Sequence, residues 1–269
     1  MKLEGPDGIR LRRDRAMLAM RGRLGRRVKV DDGDSAFVLE CESPGEFKRA
    51  GRALVQEEGT VEWIRAETGP GDAFFDVGAN IGIFTIMAAR RVGPEGHVYA
   101  FEPHAGNVVA LLRNVAANGL DDRVTVMSCA LSAGAGYLPF AYRSLESGDG
   151  LGEVGAAGRD GAHSELKATD SADRLVEQGV VRPPTLVKID VEGHEQQVLQ
   201  GMSGLLSGDR APRSLQIELK AAARKEITAF LSERGFRLET SHLSYNAKLR
   251  VERGKDPELV SRNAIFGRA

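Results

Sequence analysis

The chain has 269 residues, 42% hydrophobic and 28% charged, with a formal net charge of −1. That length supports one large domain with a real core, and that charge gives no global attraction to nucleic acid or to an anionic membrane. No apolar run of about 18 residues is present to span a bilayer.

The N-terminus lacks the apolar core of a secretory signal. Cys41 and Cys129 lie far apart and alone make neither a disulfide framework nor a thiolate zinc site, which points to the reducing cytoplasm. Eight arginines fall between Arg10 and Arg27. A helix through Met17, Met20 and Leu24 puts these apolar side chains on one face and most arginines in water. Residues 1–55 read as an N-terminal extension of this helix and short strands, including Ala36–Glu40, and leave room for a homodimer contact. Residues 56–269 read as the main domain, opening with a helix over Val55–Thr68 that Gly69-Pro70-Gly71 stops.

From Ala73 strands and helices alternate. Strands are predicted at Ala73–Val77, His97–Phe101 and Val124–Ser128, with helices at Ile83–Arg91 and Ala105–Asn118. Residues 143–165 hold six glycines and interrupt the order, as a lid or acceptor loop does. Strands resume at Thr185–Asp190, Ser214–Leu219, Phe236–Thr240 and Ala264–Gly267, with helices at Glu195–Leu206 and Ala222–Arg234. This is the pattern of βαβ units in one mostly parallel sheet of about seven strands, helices on both faces.

Ligands of such sheets bind beyond the carboxyl ends of the strands. The turn after the first strand of the series carries Asp76, Gly78, Ala79, Asn80 and Gly82. A dinucleotide fingerprint requires a second glycine where Asn80 stands, and an acid at Asp76 repels a pyrophosphate. The turn instead suits a cationic ligand such as the ammonium and sulfonium of S-adenosylmethionine. Glu102, ahead of Pro103 at the end of the next strand, can accept both hydroxyls of an adenosine ribose.

These residues resemble the FkbM-type S-adenosylmethionine-dependent methyltransferases. The resemblance rests on Asp76–Gly82, on Ala100–His104 with Asn114 and Asn118–Leu120, and on Lys188–Glu195 followed by Val198, Leu199 and Gly201. It runs from about Gly71 to the C-terminus. It implies a Rossmann-like seven-stranded methyltransferase sheet with a reversed final hairpin. The Asp76–Gly82 loop then lines the methionine end of the cofactor and Glu102 holds the ribose. Cys129 and Ala130 border the adenine through backbone. The implied reaction is O-methylation of a sugar, a polyketide-derived product or another small metabolite.

An alcohol acceptor calls for a base or a metal. Asp190, Glu192 and His194 form the candidate catalytic cluster at the end of their strand. Asp190, Glu192 and Glu218 are the ligand set if a divalent cation such as Mg2+ is used. The structural alternative makes Glu192 and Glu195 helix-capping acids and His194 an exposed first-turn residue, with Lys188 a structural charge for Asp190 or Glu218. The expected partner is a small-molecule acceptor, with no nucleic acid and no membrane. A nicotinamide-dependent oxidoreductase and a non-catalytic nucleoside-binding module remain as alternatives.

Overall fold

A computed structural model describes residues 26–33, 36–148, 152–155 and 163–268. The helix expected through Met17, Met20 and Leu24 lies outside the described residues. Among the described residues no helix is long and apolar enough to cross a membrane.

The central sheet is built from β3 (Ala73–Val77), β4 (His97–Phe101), β5 (Val124–Met127), β10 (Leu186–Ile189), β11 (Ser214–Leu219), β12 (Phe236–His242) and β13 (Arg262–Arg268). Their order is β12-β13-β11-β10-β3-β4-β5. Pairing is parallel from β11 to β5, and β13 runs antiparallel to both β11 and β12. This is the Rossmann-like sheet expected from the βαβ pattern, with its last hairpin reversed.

Side chains alternate across each strand, so the sheet feeds two cores. Phe74, Val98 and Leu186 face one, against Trp63, Ile64 and Ile86. Phe75, Val187 and Ile217 face the other, with Leu199 and Leu206. Asp76 follows the parity of Phe74, and Lys188 and Gln216 lie beside it in register. A polar row therefore crosses an apolar face.

An N-terminal layer covers that face. β1 (Arg26–Asp31) and β2 (Ala36–Cys41) form an antiparallel pair. Asn114 and Asn118 of α5 (Ala105–Ala117) and its cap stitch β2 down, accepting from Glu40 N and Val38 N. α1 (Pro44–Ala50) follows, with Ser43 as N-cap, Pro44 in the first turn and Glu46 completing a capping box. The single helix expected over Val55–Thr68 is instead two pieces, α2 (Ala53–Gln56) and α3 (Glu58–Glu67). Glu57 between them leaves helical geometry at φ −131 and ψ 50.

The helix expected over Glu195–Leu206 is likewise split, into α7 (Glu195–Gln200) and α8 (Ser203–Ser207). Asp173 is the reason: its carboxylate accepts from Gly204 N and Leu205 N, satisfying amide groups at the start of the second piece. The interruption after β5 holds a second sheet, ordered β6-β9-β7-β8, from β6 (Ala130–Leu131), β7 (Gly136–Tyr142), β8 (Glu153–Val154) and β9 (His163–Asp170). α4 (Ile83–Arg91), α6 (Ala172–Glu177), α9 (Arg224–Ser232) and α10 (Tyr245–Glu252) complete the helices used below.

Candidate active site

Two cavities meet at the carboxyl ends of β3, β4 and β10. Gly78, Asn80, Glu102, Cys129, Phe140 and Asp190 are among the residues lining the first. The second, about 570 Å³, lies under the N-terminal layer against Glu57, Asp190, Glu192, Glu218 and Asn263. Arg49, Asp190 and Glu192 border both.

The first cavity is ordered around Glu102. Its carboxylate accepts from Asn80 N at 2.7 Å and from His104 N at 2.8 Å. Burial pushes its pKa up, and these backbone amides oppose the shift. A carboxylate offers about four acceptor sites. The Asn107 side chain is a third donor, so these bonds aim Glu102 and leave a lone pair for a ribose hydroxyl, which fits an adenosyl cofactor. The other end is apolar, with Leu131, Phe140 and Val154 beside Cys129 and Ala130. Burial pushes the Cys129 thiol up to about 11, so it packs as a neutral group and is no nucleophile.

Of the expected cofactor residues, Gly78, Asn80, Glu102, Pro103, Cys129 and Ala130 line this cavity. Asp76, Ala79 and Gly82 do not, and each has a physical reason. Asp76 is fully buried, its Oδ2 accepting from Thr85 Oγ1 at 2.6 Å and its Oδ1 facing Lys188 Nζ at 3.5 Å. Its carboxylate is thus engaged beneath the loop by Thr85 and Lys188. Ala79 packs into the core under α4. Gly82 has φ +90, and a Cβ there would lie 2.4 Å from Leu111 Cδ1, so this glycine lets α5 approach α4. Gly78 has φ +84 and brings the loop against the Asp190 carbonyl, only 1.9 Å from where its Cβ would stand.

The expected catalytic residues all line the first cavity, and Asp190 and Glu192 border the second as well. Asp190 follows β10, with Oδ2 3.7 Å from Lys188 Nζ. Glu192 sits in the left-handed region at φ +54, ahead of Gly193 at φ +106. Its Oε2 lies 3.3 Å from Lys220 Nζ. A non-glycine residue held there costs about 1–2 kcal/mol, and this strained turn puts Glu192 on the rim. His194 is the third of these residues. It is buried, lines only the first cavity, and its Nε2 is 2.9 Å from Ser132 Oγ. Burial lowers its pKa. It is not the exposed first-turn residue of the structural alternative.

Asp190, Glu192 and Glu218 each bring one carboxylate oxygen within 4.8 Å of the others. Protein cations stand against the cluster: Lys188 at Asp190 and Lys220 at Glu192. Burial pulls the Lys188 pKa down, but Asp76, Asp190 and Glu57 outweigh that and hold it above the ordinary lysine value. Burial and the adjacent Asp190 push Glu218 well above the usual carboxylate range. Burial and Asp190 also raise Glu57, to about 7. Sequence reasoning missed Glu57; only the break between α2 and α3 turns it toward the cluster.

The shifted Glu218 sets a pH dependence. Its unfolded value is near 4.5 and its folded value is higher. As pH rises between the two, the unfolded chain gives up this proton more readily and the fold loses stability. A glutamine side chain at that position does not titrate. Glu218→Gln is therefore expected to raise the melting temperature, with a gap over the native protein that widens from pH 5 to pH 8. A gap that is constant or narrows with pH would remove the proton from Glu218.

Residues 144–148 close over the seam between α1 and α5. Ser43 Oγ donates to Ser147 O at 2.8 Å, Arg49 Nε to Gly148 O at 2.7 Å, and Gly148 N to Asn107 Oδ1 at 2.9 Å. His104 Nε2 lies 2.8 Å from Ser144 O. Gly148, at φ +84, and Gly45 meet backbone to backbone. This part of the expected lid is thus tied down as a wall of the second cavity. Its remainder falls largely outside the described residues.

A family model described as the methyltransferase FkbM domain matches residues 76–238. The hexuronic acid methyltransferase AglP of Haloferax volcanii is 30% identical over 194 residues, covering 72% of this chain and 75% of that protein. The 31-O-demethyl-FK506 methyltransferase FkbM of Streptomyces tacrolimicus is 29% identical over 198 residues, covering 63% of this chain and 74% of that protein. Among solved structures, one described as an rRNA-methylase from Clostridium thermocellum matches at a TM-score of 0.50 and 11% identity, covering 79% of this chain and 95% of that chain. The last is a likeness of fold alone.

Proposed function

The chain belongs to the FkbM family of S-adenosylmethionine-dependent methyltransferases, and from that premise we propose that it methylates a hydroxyl of a sugar-like, polyhydroxylated acceptor, with Asp190 taking the proton. Family membership displaces the nicotinamide oxidoreductase alternative.

The observation that carries the reading is the second cavity. Every residue lining it is glycine or bears a polar or charged side chain, including Gln56, Asn246, Asn263 and Ser244. An apolar acceptor leaves such groups desolvated and unpaired, at about 1–3 kcal/mol each. A ring of hydroxyls pairs with them. AglP is named for a hexuronic acid, and FkbM for transfer to an oxygen, which agrees with an oxygen on a sugar.

S-adenosylmethionine supplies the activated methyl group when bound. Glu102 orients the ribose, and the backbone at Gly78 admits the ligand close to the strand end. Asp190 stands where the cavities join. Lys188 fixes its carboxylate toward the acceptor side, where it accepts the proton that the hydroxyl loses. Glu57, Glu218 and Asn263 accept or donate to the remaining hydroxyls. Alignment in such a site can supply several kcal/mol of the barrier, up to about 7–11 in the best intramolecular cases.

The test is methyl transfer to a panel of hexoses, hexuronic acids and apolar secondary alcohols, read by mass spectrometry. A methyl ether on a sugar, stable to mild base, is the expected product. Transfer confined to apolar alcohols, or a base-labile ester, would sink the sugar-hydroxyl reading. EDTA is expected to leave the rate unchanged. A loss restored by Mg2+ would instead favour the cation reading of Asp190, Glu192 and Glu218, for which their convergence is the specific observation.

A further inference from the structure

Resting on the reading of the first cavity as the cofactor site, we infer that Arg49, on α1 and outside the family-matched segment, binds the α-carboxylate of the cofactor's methionine end.

The argument is one of charge and place. The methionine end of S-adenosylmethionine carries an ammonium and a sulfonium, both positive, and one carboxylate. Where the cavities join, the protein offers two carboxylates, Asp190 and Glu192, and one guanidinium, Arg49. Among the described residues, Arg49 is the sole lysine or arginine bordering the first cavity. Asp190 is already engaged by Lys188, Glu192 suits the positive groups, and the carboxylate is left with one cation to meet.

Arg49 is also prepared for an anion. Its Nε donates to Gly148 O at 2.7 Å, which fixes the guanidinium plane and leaves its terminal N–H groups uncommitted. Among the described residues it forms no ion pair. Glu57 feels its charge only through space. A planar fork held by one backbone bond is the form in which arginine reads a carboxylate. The same bond ties the wall at residues 144–148 to the cofactor end, so α1 serves both cavities.

The experiment is calorimetric titration of the full chain with two probes. S-adenosylhomocysteine carries the amino-acid carboxylate, whereas 5′-methylthioadenosine has the same adenosine and thioether without it. Arg49→Gln is expected to weaken S-adenosylhomocysteine by about 10- to 100-fold while 5′-methylthioadenosine stays within about three-fold. Arg49→Lys is expected to recover part of the loss. Undiminished S-adenosylhomocysteine binding in Arg49→Gln would overturn the inference. So would an equal loss for both probes, which would assign Arg49 to the fold of α1. Failure of the native chain to bind either probe would instead overturn the cofactor reading itself, and this inference with it.

Discussion

Asp190→Asn is expected to lower kcat by about 10²- to 10⁴-fold, the range that general-base catalysis supplies, while S-adenosylhomocysteine affinity stays within about three-fold. Asparagine keeps the shape and loses the proton acceptor, so geometry is held while chemistry is removed. The change also lifts the repulsion among Asp190, Glu192 and Glu218, whose oxygens lie within 4.8 Å of one another. The variant is therefore expected to melt no lower than the native protein, and misfolding does not mimic the effect. Single-turnover kinetics with saturating cofactor, alongside thermal denaturation, make the measurement. A kcat within about three-fold of native would mean that alignment alone drives transfer and that Asp190 serves the acceptor only as a hydrogen-bond partner.

That the experiment can be framed at one residue reflects what was legible in the sequence. Ala73–Val77 is a buried run ending in an acid and a glycine turn, and β10 repeats the pattern into Asp190. Strand parity and sheet topology then put both ends on one rim. The side of the loop that meets ligand was less legible. Asp76, Ala79 and Gly82 belong to the same motif as Gly78 and Asn80, yet they turn to Lys188, the core and Leu111. A periodic pattern gives the turn and not its facing.

The acceptor side was hidden for a different reason. Glu57 reads as an ordinary helix-surface acid, and only the interrupted backbone between α2 and α3 brings it to the cluster. Arg49 reads as one of a surface Lys-Arg pair until Gly148 O fixes it. The second sheet was concealed by composition: Pro139 interrupts the strand signal of β7, and the glycines of residues 143–165 suggest a loop. The bonds that hold the wall in place, from Ser43 and Arg49, reach partners 104 and 99 residues away along the chain, where local propensity carries no information.

Lys188→Met is expected to produce the largest loss of stability. The Lys188 side chain is 2% exposed and that of Asp76 fully buried, and the ammonium lies 5.2 Å above the Phe84 ring. Removing it leaves the Asp76 carboxylate with the Thr85 hydroxyl alone. Breaking one partner of a buried pair costs about 3–5 kcal/mol, and at about 2–4 °C per kcal/mol for a chain of this size the melting temperature should fall by roughly 10 °C. The double change Asp76→Asn with Lys188→Met removes both charges, so it should regain most of that stability, because neither partner is left uncompensated. It should not regain activity. Lys188 also holds Asp190, whose Oδ2 lies 3.7 Å from its ammonium, and an amide at position 76 does not replace that cation. Recovery of stability without recovery of turnover would separate the two tasks of one buried lysine: closing the polar row across the sheet, and aiming the carboxylate at its end. Recovery of both would reduce Lys188 to a structural counter-ion and leave Asp190 to be positioned by its own turn.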